Sequence, residues 1–235
     1  MKLNIKDILY WMDTIRGSED RDKTLESFWK GQVLSKVWLC ERLKEVHKMQ
    51  RIIDAKVLIC GGWNGVMATL LFNSEISVSK ILSIDIDEDC KKIAYEMNKE
   101  YEIKGRFKAE TCDMLNFKNY NDYDIIINTV CEHMTQEDFN KWITLLPKNK
   151  TIICQSNNFS EGKGHINCKN SLTEFAESTD LEEILPPVEL KTQKYTRYMI
   201  IGCNSPNSQM VKTTIDDGNI RNTDPKALPK KGGFL

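Results

Sequence analysis

The feature that most limits how this chain can fold is an alternation between residues 56 and 202. Short runs of branched aliphatic residues each end at a glycine, an acid or an amide, and most lead into a stretch of helical period. Lys56-Val57-Leu58-Ile59-Cys60 runs into Gly61-Gly62-Trp63-Asn64-Gly65, and Lys80-Ile81-Leu82-Ser83-Ile84 runs into Asp85. Arg106-Phe107-Lys108-Ala109 leads to Asp113, and Asp124-Ile125-Ile126-Ile127 leads to Asn128. Thr151-Ile152-Ile153-Cys154 leads to Gln155-Ser156-Asn157-Asn158. Unbroken apolar runs of this length fit strands buried on both faces. Strand and helix alternating five times predicts parallel strands joined by right-handed crossovers. The last two runs, 188–193 and 198–202, are separated only by Lys194-Tyr195-Thr196-Arg197. That is too short for a parallel crossover, so they are predicted to form an antiparallel hairpin.

Helix signals agree with this layout. Asp87-Glu88-Asp89 places acids where the positive end of a helix dipole favours them. Thr135-Gln136-Glu137-Asp138 and Ser171-Leu172-Thr173-Glu174 resemble capping sequences. Before the alternation, residues 24–53 carry Phe28, Val33, Leu34, Val37, Trp38, Leu39, Leu43 and Val46 at three- and four-residue steps. The expected domains are a helical cap over 1–54, an α/β core over 55–203 and a polar, extended tail over 204–235. The tail is rich in Asn, Pro, Lys and Gly and is not expected to build a core.

Composition narrows the function. Lys and Arg total 33 against 34 Asp and Glu, which argues against a nucleic-acid binder that relies on bulk positive charge. No apolar run approaches the roughly 20 residues of a membrane span, and residues 1–7 carry charges where a signal peptide needs an apolar core. A cytoplasmic protein is expected. The eight cysteines include no C-x-x-C pair and are expected to be reduced structural thiols.

In open parallel sheets ligands sit beyond the carboxyl ends of the strands, where strand order reverses. Gly61, Gly62 and Gly65 let backbone approach a ligand, and the helix after Gly65 turns its free N–H groups toward it. Asp85, roughly twenty residues on, is placed to hold both hydroxyls of a ribose. Asp113 is placed to accept from an adenine amino group, with Met114 beside the ring. A glycine turn and an acid at this spacing fit a nucleotide-type cofactor, either NAD or S-adenosylmethionine.

These stretches, with Ile84-Asp85-Ile86-Asp87, Cys112-Asp113-Met114 and Glu132-His133-Met134, resemble the class I S-adenosylmethionine-dependent methyltransferase family over residues 56–202. The resemblance implies a Rossmann-like, seven-stranded, mostly parallel sheet with a C-terminal antiparallel hairpin, preceded by N-terminal helices. It also implies that Gly61, Gly62, Trp63 and Gly65 line the methionine and ribose of S-adenosyl-L-methionine. Asp85 would hold the ribose hydroxyls, Asp113 and Met114 the adenine, and Ile86 is a further expected cofactor-binding residue. Ile59 stands where the family usually has an acid, and Trp63 replaces its middle glycine. Contacts to the methionine end therefore pass to Asn128, Gln32 and Lys36; Gln32, Ser35 and Lys36 share one helix face.

On the acceptor side the expected catalytic residues are His133, a general base, with Glu132 and His165. Gln155, Ser156, Asn157 and Asn158 are read as a polar specificity loop. Glu132, His133, His165 and Cys168 have the side chains a metal needs, but they resemble the metal-dependent O-methyltransferases only loosely, and no metal is expected. Asn128-Thr129-Val130-Cys131 lacks the Pro-Pro-aromatic signature of amino-methylating DNA enzymes. The expected activity is methyl transfer to O or N of a small polar acceptor in a pocket covered by the N-terminal helices. Two alternatives stand beside it. One is an RNA or protein methyltransferase with a groove built from Arg16, Arg21, Lys30, Lys36 and Arg42. The other is a cofactor-binding module or an aminopropyl-type transferase. The oligomeric state is left open, a homodimer included.

Overall fold

The computed structural model describes residues 1–204, and within them seven strands form a single sheet. They are β1 (Ala55–Cys60), β2 (Val78–Asp85), β3 (Phe107–Thr111), β4 (Ile125–Asn128), β5 (Thr151–Asn157), β6 (Glu182–Lys191) and β7 (Thr196–Cys203). Their order is β3-β2-β1-β4-β5-β7-β6. The first five are parallel, while β7 runs antiparallel to both β5 and β6. This is the Rossmann-like sheet with a terminal hairpin expected from the alternation. Strand order reverses between β1 and β4, where Cys60 pairs with Asn128.

The alternation of side chains along each strand separates two cores. Val57, Ile59, Ile81, Ile125, Ile127 and Ile153 face one side. There they meet α1 (Ile5–Gly17), α3 (Lys30–Gln50), α4 (Val66–Phe72) and α5 (Glu88–Met97). Leu58, Leu82, Ile126, Ile152 and Cys154 face the other side, under α7 (Gln136–Leu145) and α8 (Leu172–Thr179). The expected caps form: the hydroxyl of Thr135 accepts from Asp138 N at 3.0 Å, and that of Ser171 from Glu174 N at 3.1 Å. All eight cysteines are free thiols, five of them buried.

Four details differ from the sequence expectation. The helix read over 24–53 breaks at 27–29, leaving α2 (Arg21–Glu26) and α3. No α-helix links β3 to β4; a 3₁₀ turn at Tyr120–Asp122 does, although α6 (Lys99–Ile103) extends the preceding crossover. Strand β6 starts at Glu182 and absorbs Pro186 and Pro187, because an edge strand with register shifts does not need every N–H. Most consequentially, β5 continues through Gln155, Ser156 and Asn157, which are buried in the sheet rather than in a loop. Antiparallel pairing with β7 carries the strand past the apolar run. The tail expected over 204–235 lies outside the described residues except for Asn204, whose amide donates to the carbonyls of Leu146 and Ile143. No helix among the described residues is long and apolar enough to cross a membrane.

The N-terminal helices share the first core rather than forming a separate one: Trp11, Leu39, Leu43 and Val46 belong to it. Asp7, buried, accepts from Tyr101 Oη at 2.9 Å and from Asn73 Nδ2 at 2.7 Å. Trp11 Nε1 donates to Thr69 Oγ1 at 3.3 Å.

Candidate functional site

The turn at 61–65 leaves β1 at the point where strand order reverses. Gly61 has φ +66°, and a Cβ there would run into the side chain of Val130, in the turn after β4. Only glycine lets these two turns close on each other. Gly62 N donates to Ile84 O at 3.0 Å. Trp63 holds a left-handed φ of 48° and donates its backbone N–H to Asp85 Oδ2 at 2.8 Å. The second oxygen of Asp85 accepts from Asp87 N at 3.1 Å. The carboxylate at the end of β2 is therefore aimed by backbone donors back over the glycine turn. Gly65 caps α4 with φ 78°, and its carbonyl accepts from Asn98 Nδ2.

Ile86 follows with three-quarters of its surface exposed, an apolar plate beside Asp85. Asp113 is folded on itself: Oδ1 accepts from Leu115 N at 2.8 Å and Oδ2 from Asn116 Nδ2 at 3.1 Å. This is the loop-capping arrangement available to any Asp in such a turn. Met114 Sδ lies 3.6 Å from Asn128 Nδ2. Asn128 is fully buried, and its oxygen takes Val130 N at 3.0 Å while its amide faces the sulfurs of Met114 and Met134. Its hydrogen-bonding groups are spent on shaping the turn after β4.

The N-terminal segment reaches this rim. Asn64 Nδ2 donates to Ser27 Oγ at 2.6 Å. Lys23 Nζ bonds Asp87 at 3.0 Å and lies 3.5 Å from Asp89, and that hydrogen bond raises the lysine pKa and lowers that of Asp87. Both partners are more than a third exposed, so the pair contributes at most about 1 kcal/mol.

Deeper in, toward β5 and β7, the chemistry changes. Arg197 Nη2 meets Glu132 Oε1 at 3.0 Å, with both side chains almost wholly buried. Asn157 Nδ2 donates to the same oxygen at 2.6 Å. Arg197 Nη1 reaches Gln155 Oε1 at 3.5 Å, and Gln155 Nε2 donates to Ser35 O at 3.2 Å. Lys36, on the same face of α3 as Leu39 and Leu43, is buried with it. Its ammonium donates to Gln32 Oε1 at 3.0 Å. Burial lowers its pKa to about 7, the nearby Arg197 charge adding to the shift and Glu132 opposing it.

His133 and His165 stand beside Glu132 with ring centroids 4.7 Å apart. Each ring is fixed by a carbonyl: His133 Nδ1 at 3.1 Å from Gly164 O, and His165 Nδ1 at 2.6 Å from Phe159 O. One edge of His133 is exposed, yet burial of the remainder lowers its pKa, with Glu132 opposing. Phe159 stacks on Tyr195 at 5.6 Å, and Tyr195 Oη closes on Gly31 at the start of α3.

The fold thus gathers most of the expected residues into two groups, with Asp113, Met114 and Asn128 in the turns beside them. Gly61, Gly62, Trp63, Gly65, Asp85 and Ile86 form a rim. Glu132, His133 and His165 join Gln32 and Lys36 around a buried polar wall. Sequence reasoning missed Arg197 and misplaced Asn157. The available signal was an arginine opening the apolar run Arg197-Tyr198-Met199-Ile200-Ile201, since a charge buried in a sheet requires a partner.

No protein-family model matches the sequence, and no curated protein matches it. Solved structures do match. Magnesium protoporphyrin IX methyltransferase (ChlM) from Synechocystis PCC 6803, with bound S-adenosylmethionine, aligns at TM-score 0.60 and 15% identity, covering 87% of this chain and 99% of that one. N-methyltransferase NodS from Bradyrhizobium japonicum WM9, in complex with S-adenosyl-L-homocysteine, aligns at TM-score 0.58 and 13% identity over 82% and 98% of the two chains. The [4+2]-cyclase SpnF aligns at TM-score 0.57 and 11% identity over 71% and 80%. At these identities the likeness is one of fold: the chain has the fold of class I S-adenosylmethionine-dependent methyltransferases.

Proposed function

We propose that this protein is a methyltransferase that binds S-adenosyl-L-methionine at the rim and transfers its methyl group to a small polar acceptor held against the Glu132 wall. The observation that carries the reading is Asp85. Its carboxylate is held by the N–H of Trp63 over a glycine turn at the reversal point of the sheet, where a ribose diol would find it. Ile86 supplies an apolar surface for the purine. Structures with the same fold that hold S-adenosylmethionine or S-adenosyl-L-homocysteine support the cofactor.

The sulfonium is electrophilic without help, so the protein must align an acceptor and accommodate the proton it loses. The Glu132–His133–His165 wall lies one turn from the cofactor rim, because Val130 packs on Gly61. A small acceptor is favoured over RNA or protein because three of the five basic residues expected to line a groove are buried or lie beside other partners. Lys36 is buried, Arg42 is spent on Glu45 and Pro186 O, and Arg16 lies beside Asp13.

The same fold serves the [4+2]-cyclase SpnF, so transfer itself must be measured. The full chain, incubated with methyl-labelled S-adenosylmethionine and a small-molecule extract, is expected to release S-adenosylhomocysteine and to label an acceptor. Cofactor binding by calorimetry with no label in any acceptor would reduce the protein to a binding module.

A further inference from the structure

We propose that Glu132, His133 and His165 hold a divalent transition-metal cation whose open coordination position takes an acceptor oxygen as its oxyanion. The metal site stands on geometry alone; the acceptor step rests on the methyl-transfer reading above.

One ligand atom from each of the three residues lies within 4.8 Å of the other two. A tetrahedral ion with bonds near 2.1 Å separates its ligand atoms by about 3.4 Å, so closure requires side-chain shifts of about an ångström. Independent support comes from the unpaired oxygen of Glu132. Oε1 accepts from Asn157 and Arg197, whereas Oε2 is buried without a hydrogen-bond partner. A buried carboxylate oxygen left without a donor is costly, and a cation bound to it would remove that cost.

The histidines are set for ligation. A carbonyl oxygen only accepts, so the bonds to Gly164 O and Phe159 O require the hydrogen on Nδ1 of each ring. In the neutral imidazole Nε2 then carries the free lone pair. Carbonyls holding the far nitrogen are the usual support of a metal-binding histidine. Cys168 Sγ lies 3.7 Å from His165 Nδ1, on the side taken by Phe159 O, and stands outside the trio.

The charges constrain the ion and the acceptor. Arg197 balances Glu132, so the site offers little net negative charge and two imidazoles. That donor set suits Zn²⁺ or Co²⁺ better than Ca²⁺ or Mg²⁺. The remaining positive charge favours an acceptor that binds as an anion, which selects a hydroxyl over an amine. In the step this implies, the acceptor O–H bond breaks, the proton leaves to solvent and an oxygen–metal bond forms. The oxyanion then forms an O–CH₃ bond as the methyl–sulfur bond breaks with its electron pair going to sulfur. The products are a methyl ether and S-adenosylhomocysteine.

The test uses the full chain without cofactor. Titration with Co²⁺, followed by visible absorption, is expected to show one saturable equivalent. Binding should weaken by about 100-fold or more in both His133→Ala and His165→Ala, with circular dichroism and affinity for S-adenosylhomocysteine unchanged. Acetohydroxamate, a bidentate oxyanion, should then shift the Co²⁺ bands. Absent Co²⁺ binding, or binding unchanged in both variants, would overturn the metal site, and bands unmoved by acetohydroxamate would overturn the acceptor step. Co²⁺ binding by a chain that takes up no S-adenosylhomocysteine would keep the site and remove the methyl-transfer reading; the reverse pattern would do the opposite.

Discussion

The rim at the glycine turn and the wall behind Glu132 solve the same problem differently. Both must hold a carboxylate in place, half-buried at the rim and buried at the wall. At the rim, Asp85 is held by the N–H groups of Trp63 and Asp87, close neighbours on the same stretch of chain or one strand away. At the wall, Glu132 is held by Arg197 and Asn157, side chains on β7 and β5. Backbone donors cost little to organise, since the turn places them wherever it forms. A buried ion pair must repay desolvation of both charges, and it does so only while both partners are present. The rim is therefore built to tolerate change in its surroundings, and the wall is not.

The sharpest way to break this contrast is Arg197→Met. It leaves Glu132 as a lone buried charge and should cost about 3–5 kcal/mol in denaturant unfolding at pH 7. Adding Glu132→Leu should recover most of that loss. A cost below about 1 kcal/mol would show the wall to be as forgiving as the rim.

Lys36 provides the next test. Its folded pKa of about 7 lies below its ordinary 10.5, so the unfolded chain binds more protons between those values. Stability should rise with pH through that window, because folding has to strip a proton from the lysine there and that cost fades as the unfolded chain loses the proton as well. Lys36→Met should be more stable than the natural chain at pH 7, and the gap should shrink toward pH 10 by an amount on the order of a few kcal/mol. A gap independent of pH would mean the amine is not held as described.

At the rim the expected effects are smaller. Gly61→Ala meets both a positive φ and the Val130 side chain; it should lower stability by about 2 kcal/mol. Trimming the obstacle with Val130→Ala should return part of that. Asp85→Ala should leave folding nearly intact while weakening S-adenosylmethionine binding by about 1–3 kcal/mol in calorimetry. Unchanged affinity would remove Asp85 from the cofactor site.

Legibility in the sequence follows the same division. The parallel strands, the closing hairpin and the Thr135 and Ser171 caps could be read because each rests on a local pattern of period or spacing. Asp85 was legible for the same reason, since strand length alone places it at the carboxyl end of β2. The extension of β5 through Asn157 was not. Gln155, Ser156 and Asn157 look like a loop until β7 lies beside them, Arg197 meets Gln155 and Glu132 takes the Asn157 amide. Asn128 likewise read as a free amide, yet the sulfurs of Met114 and Met134 surround it.

By itself, the order of apolar runs and turn residues determined an α/β sheet with a glycine turn where strand order reverses, since that layout follows from which face of each element must leave water. Which charges meet behind that turn was decided only by the tertiary structure. Glu132 and Arg197 are 65 positions apart, Glu132 and Asn157 are 25, and Gln155 and Ser35 are 120. No local pattern encodes such partners, because their energy depends on distance and burial that exist only once the sheet and its covering helices have closed.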